Sequence, residues 1–177
     1  MLTTQRLGHY SEGVSALLKL VFPDASIDIS PNNELLTYGL VLDGSAAQKA
    51  ANKVVGFGAV YTRKMQQGTR TFNAGIVGGI AIHPDYRGQG LCSRLMTQFD
   101  AAQIQANVEH SFLFAYAPKV YHAAGYQLLH APIRFFDTPS NQWAYFVYRG
   151  GMVKHLGIEN SSALEPHTLI EFNGQVY

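Results

Sequence analysis

Hydrophobic positions along the chain change their period several times, and each change marks an element. Across residues 10–22, Val14, Leu17, Leu18 and Val21 recur at helical spacing, with Ser11 placed to cap the first turn and Pro23 to end the last. Residues 30–33 are read as the start of a short second helix. Over residues 35–43 the run LLTYGLVLD is dense in strand formers, and the following GSAAQKAAN reads as a loop between hairpin strands. KVVGFGAVYTRK and TFNAGIVGGIAIHP then read as an antiparallel pair of buried strands joined by the turn MQQGTR. Gly78 and Gly79 inside the second strand predict a β-bulge or the close approach of another backbone.

The period returns to 3.6 over residues 90–107, where Leu91, Leu95, Phe99, Ala102 and Ala106 lie along one stripe. A strand SFLFAYAP, a short helix KVYHAAG and two strands, YQLLHAPIRFFD and QWAYFVYR, follow. This order predicts an α/β (α+β) protein with a mixed, mostly antiparallel central sheet flanked by helices. The 177 residues fit one domain spanning 1–177, with a core over 1–137 and further strands over 138–177. With 47% hydrophobic and 14% charged residues, there is enough apolar material for a packed core and no disordered composition.

Charge and cysteine usage narrow the function. A net charge of +1 provides no broad cationic face for nucleic acid, so any anion must be met locally. Cys92 is the single cysteine, which excludes a disulfide within the chain and the paired-cysteine zinc spacings, and favours a reducing compartment. The first residues lack a basic segment followed by a long apolar one, and no apolar run is long enough to span a membrane. A soluble, cytoplasmic protein with no membrane partner is expected.

The stretch HPDYRGQGLCSRLM, residues 83–96, sits between an apolar strand and a helix. The free N–H groups of a first helical turn form an anion site, and glycines there let a phosphate approach the backbone. A P-loop needs Gly-Lys-Ser/Thr at a spacing that is absent here. A dinucleotide loop needs a third glycine where Ser93 stands, and an acidic residue about 20 positions on in a βαβ unit, which is also lacking. Arg87-Gly88-Gln89-Gly90-Leu91-Cys92 instead resembles the acetyl-coenzyme A pyrophosphate loop of the GCN5-related N-acetyltransferase (GNAT) family, Gln/Arg-x-x-Gly-x-Gly/Ala. It departs at Cys92, where the family has Gly or Ala; cysteine is small enough to crowd the site without abolishing it. Downstream, Val120-Tyr121-His122-Ala123-Ala124-Gly125-Tyr126 resembles the family's Leu-Tyr-x-x-x-Gly-Phe element.

The resemblance covers residues 1–137 in element order and implies a GNAT acyl-CoA N-acyltransferase fold. It implies acetyl-CoA as acyl donor, held by the backbone near Ile80, Ala81 and Ile82 and by Arg87, Gly88, Gln89, Gly90, Leu91, Cys92 and Ser93. The acetyl group would pass directly to a primary amine of a small molecule or peptide in a ternary complex, with Tyr121 protonating the departing thiolate. A dimer is a frequent assembly in that family. The C-terminal third resembles, more distantly, the aminoglycoside 2'-N-acetyltransferase branch, which implies that Tyr177 lends its carboxylate to the acceptor site; packing as a plain final strand is the competing reading. An aromatic pocket with few acids suits an apolar amine, an amino acid or a peptide N-terminus as well.

Other residues have simpler readings. Cys92 at a helix start invites a nucleophile role, but direct transfer in the family leaves it a packing position. His83 and His122 have no metal-ligand spacing with any partner, so no metal site is expected. The strand TFNAGIVGGIAI contains no carboxylate, so a general base is unassigned: Asn73, Glu34, Asp137 and Glu171 are candidates that spacing does not separate. A catalytically silent CoA-binding or protein-interaction module is the alternative function, and transfer to a hydroxyl or of a longer acyl chain differs only in pocket shape.

Overall fold

The computed structural model describes residues 2–3, 11–24, 33–43, 53–137, 139–147 and 150–176. The expected helix start at residues 30–32, the loop 44–52 and Tyr177 lie outside the described residues. The strands are β1 (Leu2–Thr3), β2 (Leu35–Leu42), β3 (Val54–Gln67), β4 (Arg70–Ile82), β5 (His110–Phe114), β6 (Gln127–Leu128), β7 (Ile133–Asp137), β8 (Gln142–Phe146), β9 (Gly151–His155) and β10 (Ile170–Glu171). The helices are α1 (Ser11–Val21) and α2 (Leu91–Gln105), with short 3-10 turns at Pro84–Tyr86 and Pro118–Ala124.

The strands form one mixed sheet in the order β6-β9-β5-β4-β3-β10-β7-β8, with β2 also on β3 and β1 on β2. Among the described strands only β4 with β5 and β10 with β7 run parallel. The sheet curls. Phe114 on β5 and Phe146 on β8 lie five strands apart along the sheet, roughly 24 Å if it were flat, yet their ring centroids are 4.7 Å apart. Phe72, Phe112, Phe172 and Ile133 fill the inside of that curl.

Helix α2 covers the other face and seats closely because strand glycines lie beneath it. Gly39 and Gly58 are paired across β2 and β3. A Cβ on Gly39 would fall 2.5 Å from Leu95 Cδ2, one on Gly58 3.0 Å from the Phe99 ring, and one on Gly75 of β4 2.0 Å from Gln103 Oε1. This last contact corrects the expected stripe: Ala102 is half-buried and Ala106 exposed, while Gln103 is fully buried over Gly75. Helix α1 lays Val14, Leu17 and Leu18 against Leu40, Phe57 and Ala81 on the inner face.

Two expected boundaries shift. MQQGTR is not a loop, since β3 runs to Gln67 and only Gly68 and Thr69 turn, with Gly68 at φ +60°. Gln67 is buried because its side-chain amide donates to the carbonyls of Glu165 and Thr168, each at 2.8 Å. YQLLHAPIRFFD is not one strand: it breaks before β7, with Pro132, which has no N–H for a ladder, in the gap. Its halves pair at opposite ends of the sheet, β6 with β9 and β7 with β8 and β10.

His110 opens β5 almost without exposure, its Nε2 donating to the Ser162 carbonyl at 3.1 Å. Burial, then His155 with its ring centroid 5.0 Å away, push its pKa down to about 4; Arg70 acts the same way, while the Ser162 carbonyl and Glu109 oppose the shift. An unfolded histidine takes its proton near pH 6.5, so between that pH and 4 the unfolded chain binds more protons and stability falls as pH falls. The contribution lost is about 2–3 kcal/mol. Urea unfolding at pH 7 and pH 4.5 is expected to show this loss in the wild type and a smaller one in His110→Gln, which keeps a donor but does not titrate; equal losses would place the effect elsewhere.

Candidate active site

Strand β4 carries the bulge that its glycines predict. Ala59 pairs with Gly78 and Phe57 with Ala81, so β4 holds one extra residue there, and Gly79 takes φ +64°. A side chain at that φ would be strained, and its Cβ would stand 3.3 Å from the Phe57 ring. Pairing with β5 ends at Val77 opposite Leu113, while pairing with β3 continues to Ile82. Beyond Val77, the β5-facing edge of β4 meets no strand among the described residues. That is an open row of main-chain donors and acceptors.

The edge leads into a loop anchored by Tyr86, whose hydroxyl donates to Asp43 Oδ2 at 2.6 Å. Arg87 is exposed, with Nε 3.3 Å from the Ile82 carbonyl. Gly88 and Gly90 adopt φ +74° and +73°, and a Cβ on either would meet nothing within 4 Å, so open space lies above both. Gly90 occupies the N-cap of α2 without any side-chain cap. The amides of Leu91, Cys92 and Ser93 thus begin a 15-residue helix whose positive end has no side-chain cap among the described residues. These are properties that suit a bound phosphate.

Tyr121 projects from the 3-10 turn that ends at Gly125, φ +85°. It packs, half-buried, on the α2-side core together with Ile80, Ile82, Cys92 and Ala115, while Leu91 belongs to that core. The two sequence motifs therefore converge on one cluster. Its ring meets Tyr126 edge-on at 6.4 Å. Burial, with Cys92 beside it, pushes the Tyr121 phenol well above the usual tyrosine range, so it holds its proton at neutral pH. Burial also pushes the Cys92 thiol up, which leaves it a poor nucleophile. Of the expected backbone trio, Ala81 turns its side chain to the opposite core under α1, whereas Ile80 and Ile82 face α2. Gln89 and Ser93 are exposed.

The family model for the acetyltransferase (GNAT) domain matches residues 9–129, more than half of the chain. The chain belongs to the GNAT family. A comparison with curated proteins returns no match. Among solved structures, the GNAT family N-acetyltransferase YhbS of Escherichia coli, in complex with CoA, superposes with a TM-score of 0.64 at 14% identity, covering 98% of this chain and 89% of that one. A chain of the NatC complex bound to Gag peptide and CoA gives 0.57 at 16% identity, with coverage of 88% and 97%. A conserved protein of Enterococcus faecalis V583 gives 0.58 at 15% identity over 73% of this chain, which spans about a third, 33%, of that protein. Likeness at these identities shows the GNAT fold. No described helix is long and apolar enough to cross a membrane.

The candidate bases are engaged with other partners. Glu34 is paired with Arg63, and Glu171 with Arg134. Asp137 accepts from Ser140, a hydrogen bond that holds its carboxyl below the ordinary range, and Gln175 approaches it as well. Asn73 lies toward the other end of β4, its main-chain N–H donating to Glu109 and its side-chain amide 3.4 Å from the Asn107 carbonyl. No cluster of His, Cys, Asp or Glu among the described residues could hold a metal ion. Sequence reasoning missed the support beneath Tyr121: the Tyr126 hydroxyl 2.6 Å from Ser111 Oγ, and Lys154 bound to both Asp100 and Ala124. Gly125 in the tyrosine motif was its only local signal.

Proposed function

We propose that this chain binds acetyl-CoA and transfers the acetyl group to a primary amine of a small molecule or peptide. The convergence of the open β4 edge, the glycine-lined start of α2 and half-buried Tyr121 on one cluster carries the reading. Membership of the GNAT family and the CoA complexes of relatives with this fold support it. The pantetheine amides pair with main-chain groups near Ile80, Ala81 and Ile82, and the pyrophosphate rests on the amides from Gly88 to Ser93 with Arg87 beside it. Cys92 replaces the smaller family residue there and packs against the core.

The chemistry asked of the protein is limited. Held against the thioester, an amine in its neutral form attacks without a strong base, because positioning removes much of the entropic barrier. Its proton leaves to water, since the carboxylates that could take it are engaged elsewhere. Tyr121, kept protonated by its burial, donates to the sulfur as charge develops on it and regains a proton from water. The reading is tested by thiol release from acetyl-CoA with a panel of polyamines, aminoglycosides, amino acids and peptide N-termini. Release above background with at least one class is expected. Binding of acetyl-CoA without release across the panel would make the chain a CoA-binding module.

A further inference from the structure

The geometry points to Lys154 as a positioning residue that pins the turn carrying Tyr121 to α2 and β9, an inference that rests on the reading of Tyr121 as the acid. Lys154 lies in β9, paired opposite Ser111 of β5, so its backbone is set by the sheet. Its ammonium donates to Asp100 Oδ2 on α2 at 2.6 Å and to the Ala124 carbonyl at 2.7 Å. Ala124 is the last residue of the 3-10 turn, where a helix end leaves carbonyls without a partner of its own. An ion pair serving stability alone needs only the first of these bonds. The second reaches the turn itself.

The lysine stem crosses Gly125 to get there. A Cβ at Gly125 would stand 3.2 Å from Lys154 Cε, on a backbone already at φ +85°, so the glycine both makes the turn and clears the path. The Tyr126 N–H donates to the Tyr121 carbonyl at 3.3 Å, and the Tyr126 ring supports Tyr121 edge-on while lying 5.9 Å from the Lys154 ammonium. Ser111 holds the Tyr126 hydroxyl from below. The body of α2, at Asp100, and the turn that carries the phenol thus take their relative position through one cation shared by Asp100 and Ala124. Loss of that cation would leave donor binding intact and let the phenol drift, which is costly because catalysis depends on orientation.

Lys154→Met strands a half-buried carboxylate, so it is compared with Asp100→Asn/Lys154→Met, in which no charge is stranded and the melting temperature recovers toward wild type. In both variants kcat is expected to fall about 10-fold with KM for acetyl-CoA within about twofold. Recovery of kcat together with the melting temperature in the double variant would overturn the proposal, because the pair would then serve stability only. Hydrogen exchange at the Gly125 and Tyr126 amides needs no turnover, and is expected to quicken about 10-fold in both variants; unchanged exchange overturns the tether. If wild-type protein releases no thiol, the transferase reading fails by itself, and exchange still decides whether Lys154 holds the turn.

Discussion

Tyr121→Phe is expected to lower kcat about 10²-fold while leaving the dissociation constant for acetyl-CoA within about twofold. The substitution keeps the ring that packs against Tyr126 and the α2-side core, and deletes only the hydroxyl. Folding is therefore little changed, and a fall in rate reports chemistry. Because burial holds the phenol well above the ordinary range, an alkaline loss of kcat near pH 10 is not expected from this group. Steady-state kinetics with a binding titration decide the matter. Unchanged kcat in Tyr121→Phe would assign the tyrosine to packing, and a raised dissociation constant would make it a binding residue.

Acetyl-CoA at 100 times its dissociation constant should raise the melting temperature by roughly 5–11 °C, from about 2.7 kcal/mol of linkage in a chain of this size. Arg87→Glu should abolish most of that shift. Arg87 is exposed, and its hydrogen bonds among the described residues go to the Ile82 carbonyl and to Pro84 of its own turn, so reversing its charge leaves the fold intact. The new carboxylate would stand beside Gly88 and Gly90, where the first amides of α2 favour an anion and have no side-chain cap among the described residues. Thermal unfolding with and without ligand is the measurement. A full shift in Arg87→Glu would put the phosphates somewhere other than this loop.

The two predictions depend on sequence information of different kinds. The strand, loop and helix around Arg87 were legible because phosphate binding at a helix start is a local device: apolar run, glycines and helical periodicity occupy contiguous residues. The bulge at Gly79 was legible for the same reason, since a glycine pair inside a strand has few other uses. The base candidates were not separable, because the engagement of Glu34 with Arg63 and of Glu171 with Arg134 joins residues far apart in the chain. The short turn at Gly68 was misjudged because Gln67 before it finds its partners at Glu165 and Thr168.

By itself, then, the sequence determined the helices, most strands, the bulge, the glycine loop and the tyrosine turn, all of which arise from short-range stereochemistry and periodicity. Only the tertiary structure decided how they act together. It ended the β4–β5 pairing at Val77 and so opened an edge, curled the sheet until Phe114 met Phe146, and brought Cys92 and Tyr121 onto one core. It also sent Lys154 across Gly125 to Ala124. Register, curl and side-chain reach are set by packing between distant segments, where a local pattern is compatible with several outcomes and the close-packed interior selects one.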